Sequence, residues 1–155
     1  MKAFLALAII MALLAASIGA LWPYVTNSAT LSGFVGTKFI TKVVDGDTVI
    51  AQGESIRLLG IDTDERGYPC YSAAKERLEE LVLDKEVTLE ADVTDKDQYG
   101  RYLRYLWLNG TNINLLMVKE GLAVARFSPE NIKYKAEIVA AEAAARAADI
   151  GCKWS

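Results

Sequence analysis

Three short stretches hold the side chains best able to do chemistry: Asp45-Gly46-Asp47-Thr48, the run Arg57-Leu58-Leu59-Gly60-Ile61-Asp62-Thr63-Asp64-Glu65, and Asp97 to Arg101. The second stretch ends with Asp62, Asp64 and Glu65 inside four positions, and such crowding of like charge is unfavourable unless a cation relieves it. Donors that are all oxygen, from carboxylates and loop carbonyls, suit a hard cation such as Ca²⁺ or Mg²⁺. The chain has no histidine, which removes imidazole as ligand or general base, and its two cysteines are too few for a zinc site. Titratable chemistry near neutral pH therefore falls to carboxylates. Arginine grips phosphate oxygens with a planar fork and stays charged at any working pH, which makes Arg57 and Arg101 the candidates to hold a phosphodiester. Arg66, Arg77, Arg104 and Arg126 read as solvated or structural. Taken alone, Asp45 to Thr48 is also an ordinary turn between strands.

The elements that must position these residues lie in one domain. A chain of 155 residues, 52% hydrophobic, has room for one domain and an apolar extension. Phe4 to Trp22 is uncharged and long enough to span a hydrocarbon core. Residues 1–22 are expected to be a signal peptide, with small residues at Ser17 to Ala20 for cleavage, or a retained signal anchor, with Trp22 and Tyr24 as interfacial aromatics. Residues 23–37 read as a linker and 38–155 as the folded domain, outside the cytoplasm, either secreted or held at the membrane by the N-terminal helix. The only charge ahead of Lys38 is Lys2, so residues 38–155 carry 16 basic and 20 acidic side chains, formally −4. A domain that acidic has no broad basic stripe, and any contact with nucleic acid must be local.

From Phe39 the pattern is β-rich, with strands expected at Phe39 to Val44, Thr48 to Ala51 and Ile56 to Ile61. Ser72 is positioned to cap a helix to Leu83, whose apolar stripe is Ala74, Leu78, Leu81 and Val82. Val87, Leu89 and Ala91 alternate with polar residues as in a half-buried strand, and Tyr102 to Leu108 supplies a fifth strand before an Asn109-Gly110 turn. A helix from Ile113 to Glu120, capped by Asn112 and ended by Gly121, precedes another from Lys133 to Ala148 with a Glu142 to Arg146 pair. The expected fold is α+β: a five-stranded OB-type barrel with about three helices, preceded by the N-terminal hydrophobic helix. In an oxidising compartment Cys70 and Cys152 are expected to be bridged, the alternative being two free or buried thiols.

Asp-Gly-Asp-Thr at 45 to 48, Arg-Leu-Leu-Gly-Ile-Asp-Thr-x-Glu at 57 to 65 and Asp-x-Tyr-Gly-Arg at 97 to 101, in this order, resemble the staphylococcal nuclease (thermonuclease) family. The likeness runs on more weakly through Asn114 to Ala123 and Glu142 to Trp154. It implies an exported, calcium-dependent endonuclease of DNA and/or RNA that leaves 3′-phosphates. Asp47, Asp62 and the main-chain carbonyl of Thr63 would hold the metal, Glu65 would act on the attacking water, and Arg57 and Arg101 would bind the phosphate. Tyr99 would lie along the nucleotide. The chain is expected to be monomeric, with no feature that asks for a protein partner. The alternative is a catalytically silent OB-fold module that binds nucleic acid at the membrane. The main departure is Asp64, where the family usually has proline: it removes a rigid turn and is expected to add negative charge beside the metal.

Overall fold

A computed structural model describes residues 34–155. The hydrophobic stretch at 1–22 and most of the linker lie outside the described residues; among those described, no helix is long and apolar enough to cross a membrane.

The first strand, β1 (Phe34–Asp45), begins earlier than the apolar run at Phe39, because residues read as tether already pair with the segment Glu86–Glu90. It turns into β2 (Thr48–Ala51), which pairs with β3 (Glu54–Leu58). The continuous strand expected from Ile56 to Ile61 is split: Gly60 takes a φ of 78°, a left-handed conformation open chiefly to glycine, and a two-residue strand β4 (Ile61–Asp62) leaves in a new direction. Helix α1 (Tyr71–Val82) follows, then β5 (Glu86–Glu90), β6 (Tyr102–Leu108), β7 (Thr111–Asn112), α2 (Ile113–Lys119), β8 (Val124–Ala125) and α3 (Lys135–Ala147). Asn109 and Gly110 both have positive φ, as a tight hairpin turn needs.

Strands β3-β2-β1-β5-β6 close into a five-stranded barrel because β3 also pairs with β6, in parallel. Closure joins the two edges of these five strands, and Ile40, Val49, Ile56, Leu58, Leu89, Tyr105 and Leu106 on them are each nearly inaccessible. The helices cap this core through Leu78 and Val82, Met117 and Val118, and Ile138.

Several local expectations need correction. Cys70, not Ser72, occupies the position before α1, with no side-chain cap; its own N–H is taken by Asp64. Glu142 does not pair with Arg146 but accepts from the Ala125 N–H at 3.1 Å, while Arg146 lies over the Trp154 ring. Glu90 breaks the expected alternation. It is 2% exposed, and Trp107, Tyr134 and Lys133 satisfy its carboxylate, which explains how a charge is tolerated there. Asn112 caps α2 as expected, accepting from the Leu115 N–H.

Candidate active site

The barrel's connections bring the three stretches together. In the β1–β2 turn the Asp47 N–H donates to Asp45 Oδ1 at 3.1 Å. Gly46 packs so tightly that a Cβ on it would lie 2.7 Å from Ala74 Cβ and 2.9 Å from the Thr63 side chain. That closeness carries Asp47 against Thr63: Asp47 Oδ2 accepts from the Thr63 N–H at 2.9 Å and from its hydroxyl at 3.0 Å. The Thr48 hydroxyl donates to Asp47 Oδ1. Burial pushes the Asp47 carboxyl up to about 6, against the opposing pull of Arg57 and of the Thr63 hydrogen bonds, with Asp45 adding to the rise.

Arg57 faces Thr48 across β2 and Leu103 across β6. Its Nη2 lies 3.1 Å from Asp47 Oδ2 and 2.8 Å from Asp62 Oδ1, and its Nη1 donates to the Leu58 carbonyl. Asp62 reaches this point because the chain bends at Gly60. The corner is fixed by Asn114, fully buried on α2, whose Nδ2 donates to the Leu59 and Arg104 carbonyls while its Oδ1 accepts from the Leu106 N–H.

These groups line a cleft of about 590 Å³ together with Glu65, Asp97, Arg101 and Arg126. Glu65 is exposed, and among the described residues its carboxylate has no hydrogen-bond or ion-pair partner, so it is open to water. Arg101 arrives from the opposite side: Asp97 accepts from its Nε at 2.7 Å and from its N–H at 3.0 Å. Burial opposes ionisation of Asp97, but the donors from Arg101 and the Tyr99 N–H outweigh it and hold that carboxyl below the usual range. Tyr99 does not line the cleft. It stands 75% exposed on the turn between Asp97 and Arg101, its ring 5.5 Å from the Arg101 guanidinium carbon.

Asp64 does not turn toward the cleft as its place in the motif suggested. Its carboxylate pairs with Lys153 and accepts from the Cys70 N–H at 3.0 Å; the hydrogen bond from Lys153 is the main reason its carboxyl is held low. The neighbouring Cys70–Cys152 disulfide, Cα atoms 5.4 Å apart, ties the same loop to the C-terminus. Two charged lining residues had no role expected of them in the site: Asp97, and Arg126, which reads from sequence as solvated or structural. Asp97 was visible in its motif, whereas Arg126 follows a two-residue strand too short to show any periodicity.

Asp47 and Asp62 each present an oxygen within about 3 Å of one point, the Arg57 Nη2, and the buried Asp47 carboxyl is undercompensated. Oxygen donors in that state fit a hard divalent cation. Among the described residues no group of three or more acidic, cysteine or histidine side chains is already gathered as a metal site.

The fold and the cleft together define an OB-type barrel protein with carboxylates and arginines paired in one site. The Staphylococcal nuclease homologue family model matches residues 55–155. The chain is similar to the thermonuclease of Staphylococcus intermedius, 37% identical over 123 residues that cover 73% of this chain and 72% of the relative. It is also 34% identical to the thermonuclease of Staphylococcus hyicus, over 66% of this chain and 67% of the relative, and 37% identical to Endonuclease YncB of Bacillus subtilis, over 61% and 51%. The chain belongs to the staphylococcal nuclease family.

Proposed function

We propose that the protein is a metal-dependent endonuclease of DNA and/or RNA that leaves 3′-phosphates. The observation that carries the reading is the convergence of Asp47, Arg57, Asp62, Glu65 and Arg101 on one cleft, although they come from three separate stretches of the chain. Asp47, Asp62 and the Thr63 carbonyl would hold calcium, and a divalent cation there would neutralise phosphate charge. Glu65, whose carboxylate has no partner among the described residues, takes a proton from water as the water oxygen attacks phosphorus. The bond from phosphorus to the 5′ oxygen breaks, Arg101 stabilises the charge on that oxygen as it leaves, and solvent water supplies the proton it takes up. Arg57 and Arg101 stabilise the charge that builds on the non-bridging oxygens. Tyr99 offers an exposed ring along which a nucleotide base can stack.

We also infer export, with the domain secreted or anchored through residues 1–22. The Cys70–Cys152 bond supports this, since disulfides persist in oxidising compartments.

The test is degradation of plasmid DNA and of RNA by the purified protein in calcium, in magnesium and in chelator. Glu65→Gln is expected to lower kcat about 10²- to 10⁴-fold, and Arg57→Ala about 10²- to 10³-fold. Nucleic-acid binding with no cleavage under any condition would replace this reading with that of a silent binding module.

A further inference from the structure

We infer that Arg126 is a substrate-binding residue that holds a phosphate flanking the one at Arg57 and Arg101; this rests on the nuclease reading above. The domain is acidic overall, so attraction for a polyanion has to be local, and the cations of the cleft are placed to supply it. Two of the three cleft arginines are already engaged. Arg57 is only 15% exposed and contacts Asp47, Asp62 and the Leu58 carbonyl, while Arg101 gives its Nε to Asp97. Arg126 is 73% exposed, and among the described residues its guanidinium makes a single polar contact, Nη1 to Asp62 Oδ2 at 3.2 Å. An exposed, one-point ion pair contributes little, so releasing it for a phosphate is easy.

The backbone beneath Arg126 is fixed, so the guanidinium is carried on a firm base. Its N–H donates to the Gly60 carbonyl at 2.9 Å, β8 pairs with β4 through Ile61 and Asp62, and Glu142 accepts from the Ala125 N–H. Arg57 and Arg126 contact opposite oxygens of the same Asp62 carboxylate. Two guanidinium groups so close, one buried and one exposed, match consecutive phosphates of a strand that enters the cleft from solvent. Asp97, Leu103 and Ser128 line both this cleft and a neighbouring cavity of about 340 Å³, which offers room for a further nucleotide.

The test compares the full chain with Arg126→Ala and Arg126→Lys in calcium, on a dinucleotide with one internal phosphodiester and on a tetranucleotide with phosphates on both sides of the central bond. Arg126→Ala is expected to lower the ratio of kcat/KM, tetranucleotide to dinucleotide, about tenfold, chiefly through KM, as loss of one charge-assisted hydrogen bond does. Arg126→Lys keeps the charge and restores part of that ratio. In a Glu65→Gln background, where cleavage does not consume the probe, Arg126→Ala should flatten the plot of log affinity for a single-stranded oligonucleotide against log salt by about 0.7. Equal losses on both substrates would mean that Arg126 only positions Asp62 and would overturn the inference, as would an unchanged ratio and slope. If the wild type cleaves neither substrate, the nuclease reading fails while the salt slope still decides for or against Arg126. If it binds no oligonucleotide at all, both fall.

Discussion

At the scale of single residues, the site shows how carboxylates of similar sequence context acquire different roles from what surrounds them. Asp47 is desolvated and under-compensated, Asp62 is shared between two arginines, Glu65 is open to water, and Asp64 is drawn away by Lys153 and the Cys70 N–H. Asp97 acts through another group: it orients Arg101 by accepting from both its Nε and its N–H. The carboxyl of Asp97 is held below its unfolded value of 3.8, so the stability it contributes is present above that pH and is lost as pH falls through the folded value. Asp97→Asn should therefore be less stable than the wild type at pH 7 by about 1.5 kcal/mol, the size of a charge-assisted hydrogen bond. The gap should close below pH 3.8, and the Asp97 carboxyl carbon should titrate below that value by NMR. A wild-type carboxyl that titrates at or above 3.8 would show that Arg101 is not held in this way.

At the scale of elements, most of what positions these residues was legible as pattern, and what was not depends on contacts distant in sequence. Strands β2 and β6 are bounded where turns and apolar alternation put them, and α2 is capped by the expected Asn112. The parallel β3–β6 pairing, which seats Arg57 beside Leu103 and close to Arg101, leaves no local trace, because each strand alone reads as half-buried. The β3–β4 corner was missed for a related reason. Leu58 to Ile61 looks like one strand until Asn114, 55 positions on, takes the Leu59 carbonyl. Glu142 likewise matched a helical pair by spacing, but an N–H on β8 competes for it. Asn114→Ala is expected to lower stability by about 3 kcal/mol, since it strands the buried Leu106 N–H and the Leu59 carbonyl without partners. With the corner loosened, Asp62 should lose its position, so divalent-cation affinity measured by calorimetry under folded conditions should fall as well. Full cation affinity in a folded Asn114→Ala protein would show that the corner does not set the site.

At the scale of the whole molecule, two ties join the loop after the site to the end of the chain: the disulfide from Cys70 to Cys152 and the ion pair from Asp64 to Lys153. They differ in what they do. The disulfide closes a loop with a sequence separation of 82, and in the chain-entropy account a closure of that length removes enough freedom from the unfolded chain to contribute on the order of 4 kcal/mol. The ion pair is partly exposed, and a pair of that kind contributes about 1 kcal/mol or less. A domain of this size has only about 5 to 15 kcal/mol in all, so loss of the disulfide should be felt globally and loss of the ion pair locally. Replacing both cysteines, as Cys70→Ser with Cys152→Ser, is expected to lower the urea midpoint by an amount equivalent to roughly 4 kcal/mol, and Lys153→Ala by less than about 1 kcal/mol. The C-terminus also has a tie of its own, the Lys153 N–H to the Gly121 carbonyl at 3.1 Å, and the comparison is made on samples that circular dichroism shows to be folded. Cleavage in the double-serine variant, measured well below its unfolding midpoint, then separates stability from positioning. A fall in kcat there means that the disulfide holds the loop bearing Glu65, and an unchanged kcat means that Asp64 and Lys153 suffice to hold it. A midpoint that does not move would show that the bond is absent from the folded protein or that the unfolded chain is already compact.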